Sequence, residues 1–238
     1  MDKKEDHPGG DKTMKDKNWK DILVIITSAV ILVIGILLII QFIGLSGSYE
    51  KYVNRGRELF NEGKWGLAVR EFEMASKIKP DGYEAHFGLG TTYLKQRKLK
   101  LGIDEFLKAV EIDPNAVEAY YSLGVAFQRD RNVERALEVY KKVLSIEPES
   151  FQAYNNIGGI YVVQKDYGKA IENFQRVLKI NPDYHQVYLN IGRTYELQGD
   201  SLRAVEEYKK IIELASKGPV PEIIIEAAKK RIAFLETK

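Results

Sequence analysis

The sequence predicts an all-α chain: a solenoid of five helix-turn-helix units, one terminal capping helix behind them and one membrane-crossing helix ahead. Three observations carry this. Pro80, Pro114, Pro148 and Pro182 stand 34 residues apart in the matching contexts IKP, IDP, IEP and INP. Gly56, Gly90, Gly124, Gly158 and Gly192 repeat at the same period, as do Phe72, Phe106, Tyr140, Phe174 and Tyr208. Ahead of the repeats, no residue from Ile22 to Leu45 is charged.

The first twenty residues are polar, include Pro8-Gly9-Gly10 and show no apolar periodicity, so residues 1–20 are expected to be a disordered leader. Residues 21–45 come next as the expected transmembrane helix, with Thr27, Ser28 and Gln41 the polar interruptions of its apolar run. At about 1.5 Å per residue, 22–45 extends roughly 36 Å, enough for a hydrocarbon core of about 30 Å. A cleaved secretory signal is the rival reading, with Ser46, Gly47 and Ser48 as the cleavage site. Signal cores run about 7–15 residues and follow a short leader, which favours a retained anchor. Six lysines precede the span (Lys3, Lys4, Lys12, Lys15, Lys17, Lys20), against Lys51, Arg55, Arg57 and Lys64 beyond it. That bias places the N-terminus in the cytoplasm and the repeats on the other, periplasmic or extracellular, face.

With proline at position 32, the units are 49–82, 83–116, 117–150, 151–184 and 185–218. In each first helix (A), bulky or apolar residues fall at positions 4, 7 and 11 around a small residue at 8. Tyr154, Ile157, Gly158 and Tyr161 show this amphipathic stripe. A polar turn such as Gln198-Gly199-Asp200 comes after it, then a second helix (B) with Ala170, Phe174 and Val177 on its inner face. Proline ends helix B because it disfavours helical geometry in the residue before it. Glycine inside a helix is about 0.5–1 kcal/mol worse than alanine, so five in one phase imply a packing need. After Pro221, Ile224, Ala228, Ile232 and Leu235 share one face of a last helix, and 219–238 is expected to cap the open end of the stack.

This pattern resembles the tetratricopeptide repeat, whose consensus has a bulky residue at 4, Leu at 7, Gly or Ala at 8, Tyr at 11, Ala at 20, Phe at 24, Ala at 27 and Pro at 32. The resemblance covers 49–218 and implies a right-handed superhelix. Departures are Arg55 at position 7 of the first unit, Gly102 at position 20 of the second, and Val143, Val177 and Ile211 at position 27. The fifth unit has Ser216 where proline is expected.

Chemistry is scarce. The chain has no cysteine, which excludes disulfides, thiolate metal sites and a lipoprotein anchor. Lys+Arg number 36 against 34 Asp+Glu, so nothing calls for nucleic acid. His7, His86 and His185 lack ligand spacing, and His86 replaces a core tyrosine, so no metal is expected. Gly88-Leu89-Gly90-Thr91-Thr92-Tyr93 begins like a dinucleotide fingerprint, but it follows no strand and ends in tyrosine. No cofactor and no enzymatic activity are expected.

By the resemblance, positions 2, 5, 9 and 12 of helix A, with 6 and 13, line a concave groove that takes a peptide or helix. Carried over, that groove holds Phe87, Leu94, Tyr121, Val125, Arg129, Asn155, Asn156, Val162, Leu189, Asn190 and Arg193. An apolar patch beyond the needs of the hairpin core favours an interface, and asparagine amides suit an extended backbone. The opposing reading is that neighbouring repeats bury part of this stripe. The subset of the family that clamps acidic tails needs Lys, Asn and Arg where Val53, Arg57, Glu118 and Ser122 stand, so that activity is not expected. The resemblance implies a membrane-anchored scaffold or adaptor for a protein partner, in assembly of an envelope or membrane complex. The alternative is a homo-oligomeric coat on the membrane.

Overall fold

The structure, a computed structural model, describes residues 12–237. Among them it forms eleven helices and no strand. The first, α1 (Lys12–Asn61), contains helix A of the first unit, and α2 (Trp65–Ile78) is its helix B. The next units are α3 (Tyr83–Lys95) with α4 (Leu99–Ile112), α5 (Val117–Arg129) with α6 (Val133–Ile146), and α7 (Phe151–Val163) with α8 (Tyr167–Ile180). Then come α9 (Gln186–Gln198), α10 (Ser201–Lys217) and α11 (Glu222–Glu236).

The prolines act one residue outside each helix. Lys79, Asp113, Glu147 and Asn181, each just before a proline, have φ near −133°, −123°, −124° and −133°. That extended backbone is the geometry a following pyrrolidine ring imposes. Helix α10 has no such stop, since Ser216 replaces proline, and it runs 17 residues where the other B helices run 14. The A-to-B turns pass through left-handed backbone. Glycine takes that position at Gly63 and Gly199, but Arg97, Arg131 and Lys165 adopt φ near 60° there.

Each position-8 glycine seats the aromatic ring of its own helix B. A methyl group on Gly56, Gly90, Gly124, Gly158 or Gly192 would lie 2.5–2.8 Å from Phe72, Phe106, Tyr140, Phe174 or Tyr208. The consensus suggests close approach of two backbones with the ring beside them; instead the ring occupies the space where Cβ would be. Whether that ring is Phe or Tyr follows position 12. Tyr140 and Tyr208 donate their hydroxyls to Gln128 and Glu196 at 2.7 and 2.5 Å. The three Phe units have Phe60, Leu94 and Val162 at that place. A buried hydroxyl needs an acceptor, so the two positions are chosen together.

The departures from consensus have local causes. At Gly102 a methyl group would meet Leu94 at 3.0 Å and the Gly90 carbonyl at 3.1 Å, so the leucine takes the room an alanine would fill. Val143, Val177 and Ile211 are fully buried, as Ala75 and Ala109 are in the earlier units. Arg55 has no preceding repeat to face; it is exposed and pairs with Glu58. At the other end, Ile224 and Ala228 are buried against α10, with Ile232 and Leu235 beside them.

One expectation for the N-terminal region changes. The leader is not disordered throughout: 12–20 is helical and continuous with the apolar segment. A helix already nucleated in that segment extends through Lys and Met at little cost, because propagation lacks the penalty of starting. Residues 1–11, with Pro8-Gly9-Gly10, lie outside the described residues. The apolar segment runs directly into the first repeat, since α1 spans 50 residues, about 75 Å, without a break.

Among the described residues, no helix is long and apolar enough to cross a membrane. The uninterrupted described side chains there run 23–39, roughly 25 Å of helix. Ile22, Ile40, Phe42, Ile43 and Leu45, which complete the expected span, have side chains outside the described ones. Within 23–39 the apolar side chains project from a helix that packs on nothing; Leu23 is 64% and Ile31 70% exposed.

Candidate functional site

The A helices line one face of the array, and hydrogen bonds between successive A helices knit that face at a spacing of 35 residues. Tyr49 Oη donates to Glu84 Oε2 at 2.8 Å. Asn156 Nδ2 donates to Tyr121 Oη, and Asn190 Nδ2 to Asn155 Oδ1, both at 3.0 Å. Tyr49 and Glu84 stand at positions 1 and 2, and in the other two bonds position 5 of one repeat meets position 6 of the next. These bonds use part of the amides' capacity. Among the described residues, Asn155 keeps both N–H donors and Asn190 its carbonyl oxygen, side by side and half-buried.

The eleven expected groove residues divide. Asn155, Asn156, Val162, Asn190 and Arg193 line one cavity of about 350 Å3 together with Gln128 and Gly159. Leu189, Asn190 and Arg193 line the adjoining one, about 580 Å3, closed by Arg231 from α11. Phe87 lines a third, about 460 Å3, between the first three A helices. Leu94, Tyr121 and Val125 instead pack against the central core. Repeat stacking accounts for them, and Tyr121 also tilts onto Tyr140 at 5.8 Å between ring centroids. Arg129 is exposed and borders none of these cavities.

Several groove residues escaped sequence reasoning. Tyr83 stacks on Phe87 with ring centroids 5.7 Å apart and planes 10° from parallel. Phe60 and Phe72 line the same cavity. Gly88 does too, and a methyl group there would lie 2.5 Å from the Phe72 ring. The signal was a small residue at position 6 of the second unit, where the third to fifth have Ser122, Asn156 and Asn190. At the far end Glu196 accepts from Arg231 Nε at 2.9 Å and from Tyr208, so its charge is spent on docking α11.

Burial is the main force raising the Tyr83 phenol, and the fields of Glu118, Asp113 and Glu84 add to it, pushing it up to about 12. Elsewhere, His86 is buried between α3 and α4. Its Nδ1 lies 2.6 Å from Glu105 Oε2 and its Nε2 2.9 Å from the Pro80 carbonyl. No group of three or more His, Cys, Asp or Glu fit to hold a metal ion occurs among the described residues.

Sequence models of the tetratricopeptide repeat match residues 53–117, 105–138 and 149–217. The chain belongs to the tetratricopeptide-repeat family. It is similar to the crystal structure of MamA protein at 27% identity, over 73% of this chain and 98% of that one, with a TM-score of 0.68. MamA from Desulfovibrio magneticus RS-1 gives 20% identity, the same coverages and a TM-score of 0.68. YrrB, a TPR protein with an unusual peptide-binding site, gives 20% identity over 75% of this chain and 90% of that one, with a TM-score of 0.62. The last two likenesses speak to the fold alone. No curated protein sequence matches the chain.

Proposed function

We propose that this tetratricopeptide-repeat protein is a membrane-anchored adaptor that holds an extended segment of a protein partner in its concave groove, during assembly of an envelope or membrane complex. The observation that carries the reading is the Asn155–Asn190 pair. One amide presents free N–H donors and its neighbour a free carbonyl, which matches the donor and acceptor of a peptide group laid along the groove. Packing within the array has no use for those atoms.

The anchor is the apolar length of α1. An apolar helix with nothing packed on it is unfavourable in water, at about 25 cal/mol per Å2 of exposed apolar surface, and favourable in lipid. Its polar side chains fit that setting. Thr27 and Ser28 return their hydroxyls to the Val24 carbonyl at 2.9 and 2.8 Å, so neither asks for water. With its flanking residues the run is 22–45, and the lysine bias before it places the repeats on the non-cytoplasmic face.

The test is photocrosslinking of the full chain in native membranes. A benzophenone amino acid at Val163, on the groove, is expected to capture partner, and one at Lys141, on the outer face of α6, is not. Asn155→Ala with Asn190→Ala is expected to abolish the Val163 product. Capture only from Lys141 rejects the groove. Release of the chain by alkaline carbonate rejects the anchor, and a C-terminal reporter active only in the cytoplasm reverses the sidedness.

A further inference from the structure

The cavity between the first three A helices differs from the rest of the groove in its aromatic lining and its charge. The aromatic lining depends on an omission. In the third to fifth units position 6 carries Ser122, Asn156 or Asn190, but the second has Gly88. A Cβ there would lie 2.5 Å from the Phe72 ring, so Gly88 is the opening through which that ring reaches the groove. The stacked pair Tyr83 and Phe87 forms a flat aromatic wall beside it, and Phe60 lines the same space.

The rim is acidic on balance. Glu84 and Glu118 border the cavity against the single guanidinium of Arg57. Among the described residues none of the three has an ion-pair partner; Glu84 accepts only the Tyr49 hydroxyl, and Arg57 donates to Asn54 at 3.3 Å. Burial first, and the fields of Glu118, Asp113 and Glu84 after it, raise the Tyr83 phenol at the wall. A cavity of about 460 Å3 has room for one long side chain.

We infer that this cavity is the specificity socket of the groove and takes an arginine side chain from the bound segment, its guanidinium stacked on the Tyr83–Phe87 wall and paired with Glu118 and Glu84. A planar, weakly hydrated cation satisfies an aromatic face and a carboxylate together, which a compact ammonium does less well. Charge-assisted hydrogen bonds in a recessed site are among the stronger contacts available to a peptide. The socket rests on the groove reading and adds the chemistry of one residue of the occupant.

The experiment pans a random twelve-residue peptide library on the full chain in nanodiscs of zwitterionic lipid. Empty nanodiscs serve as the control. Retained peptides are expected to share one arginine, and replacing it with methionine should weaken binding about tenfold by fluorescence anisotropy. Glu84→Gln with Glu118→Gln preserves shape and the acceptor for Tyr49, and should cost the same tenfold. In that variant the arginine-to-methionine change should then have no effect, the coupling expected of a direct contact. Gly88→Ser should fill the socket, with the glutamine pair covering the case in which it fails to fold. Peptides retained without a common arginine, with lysine alone, or with no coupling to the two glutamates overturn the socket while leaving the groove. Retention no better than empty nanodiscs overturns both.

Discussion

The pair of His86 and Glu105 ties α3 to α4 and yields a quantitative prediction. Both ring nitrogens of His86 face acceptors, the Pro80 carbonyl at 2.9 Å and the Glu105 carboxylate at 2.6 Å, so the imidazole must carry two protons to satisfy both. The hydrogen bond to Glu105 holds the His86 pKa above its ordinary 6.5, against the opposing effect of burial. Burial alone would raise Glu105, but hydrogen bonds from His86 and Lys108 outweigh it and hold the carboxyl below 4.5. The raised histidine contributes stability that is fully present below 6.5 and is lost as pH rises through its folded value. The lowered glutamate contributes stability present above 4.5 and lost as pH falls through its folded value. Repeat two is therefore firmest between those limits. Glu105→Gln keeps the shape but removes the charge, and should cost roughly 1.5–3 kcal/mol at pH 6, the range for a hydrogen bond to a charged group. For an array of this size that is a melting shift of roughly 3–12 °C. The assay is thermal unfolding of the full chain in detergent micelles at pH 6 and pH 9, with amide exchange of α3 as the local readout. Wild type should lose most of its advantage over Glu105→Gln at pH 9. An unchanged gap between the two proteins would refute the assignment of an imidazolium at position 86.

Four further outcomes are expected from the packing. Gly124→Ala places a methyl group 2.7 Å from the Tyr140 ring and should cost about 1–3 kcal/mol in urea unfolding. Gly159→Ala meets nothing within 4 Å and should be neutral or stabilise by up to about 1 kcal/mol, so equal damage at both sites would contradict the seating of rings on glycine. Lys165→Gly should gain up to about 1 kcal/mol by relieving a lysine at φ near 59°, read as a raised unfolding midpoint. Arg231→Ala should free α11, seen as faster amide exchange across Glu222–Glu236 with α3 to α8 unchanged, because Glu196 then loses its cation.

Much of the cavity lining on the A-helix face was legible because a repeat fixes position. Asn155, Asn156, Val162, Leu189, Asn190 and Arg193 are reached by counting along one helix, and all six line cavities on that face. Leu94, Tyr121 and Val125 are reached by the same count but pack on the central core and border none of these cavities, because a side chain's exposure depends on the neighbouring repeat as much as on its own helix. Tyr83 escapes for the converse reason. It sits at position 1, outside the nominal stripe, and lines the cavity because Phe87 offers its ring a face. In the sequence alone the amides look free for a partner. Pairing positions 5 and 6 across 35 residues shows that part of their capacity is already used within the array.

The sequence by itself determined the period, the helices and their ends, because these rest on local causes: proline stops, apolar phase, and small residues where no larger one fits. Tertiary structure decided which stripe residues face solvent, that α1 continues unbroken from the apolar segment into the first repeat, and that one socket is acidic on balance where its neighbours are basic. Those properties belong to pairs of repeats. A cavity is the space two neighbours leave unfilled, and periodicity within a single unit carries no record of it.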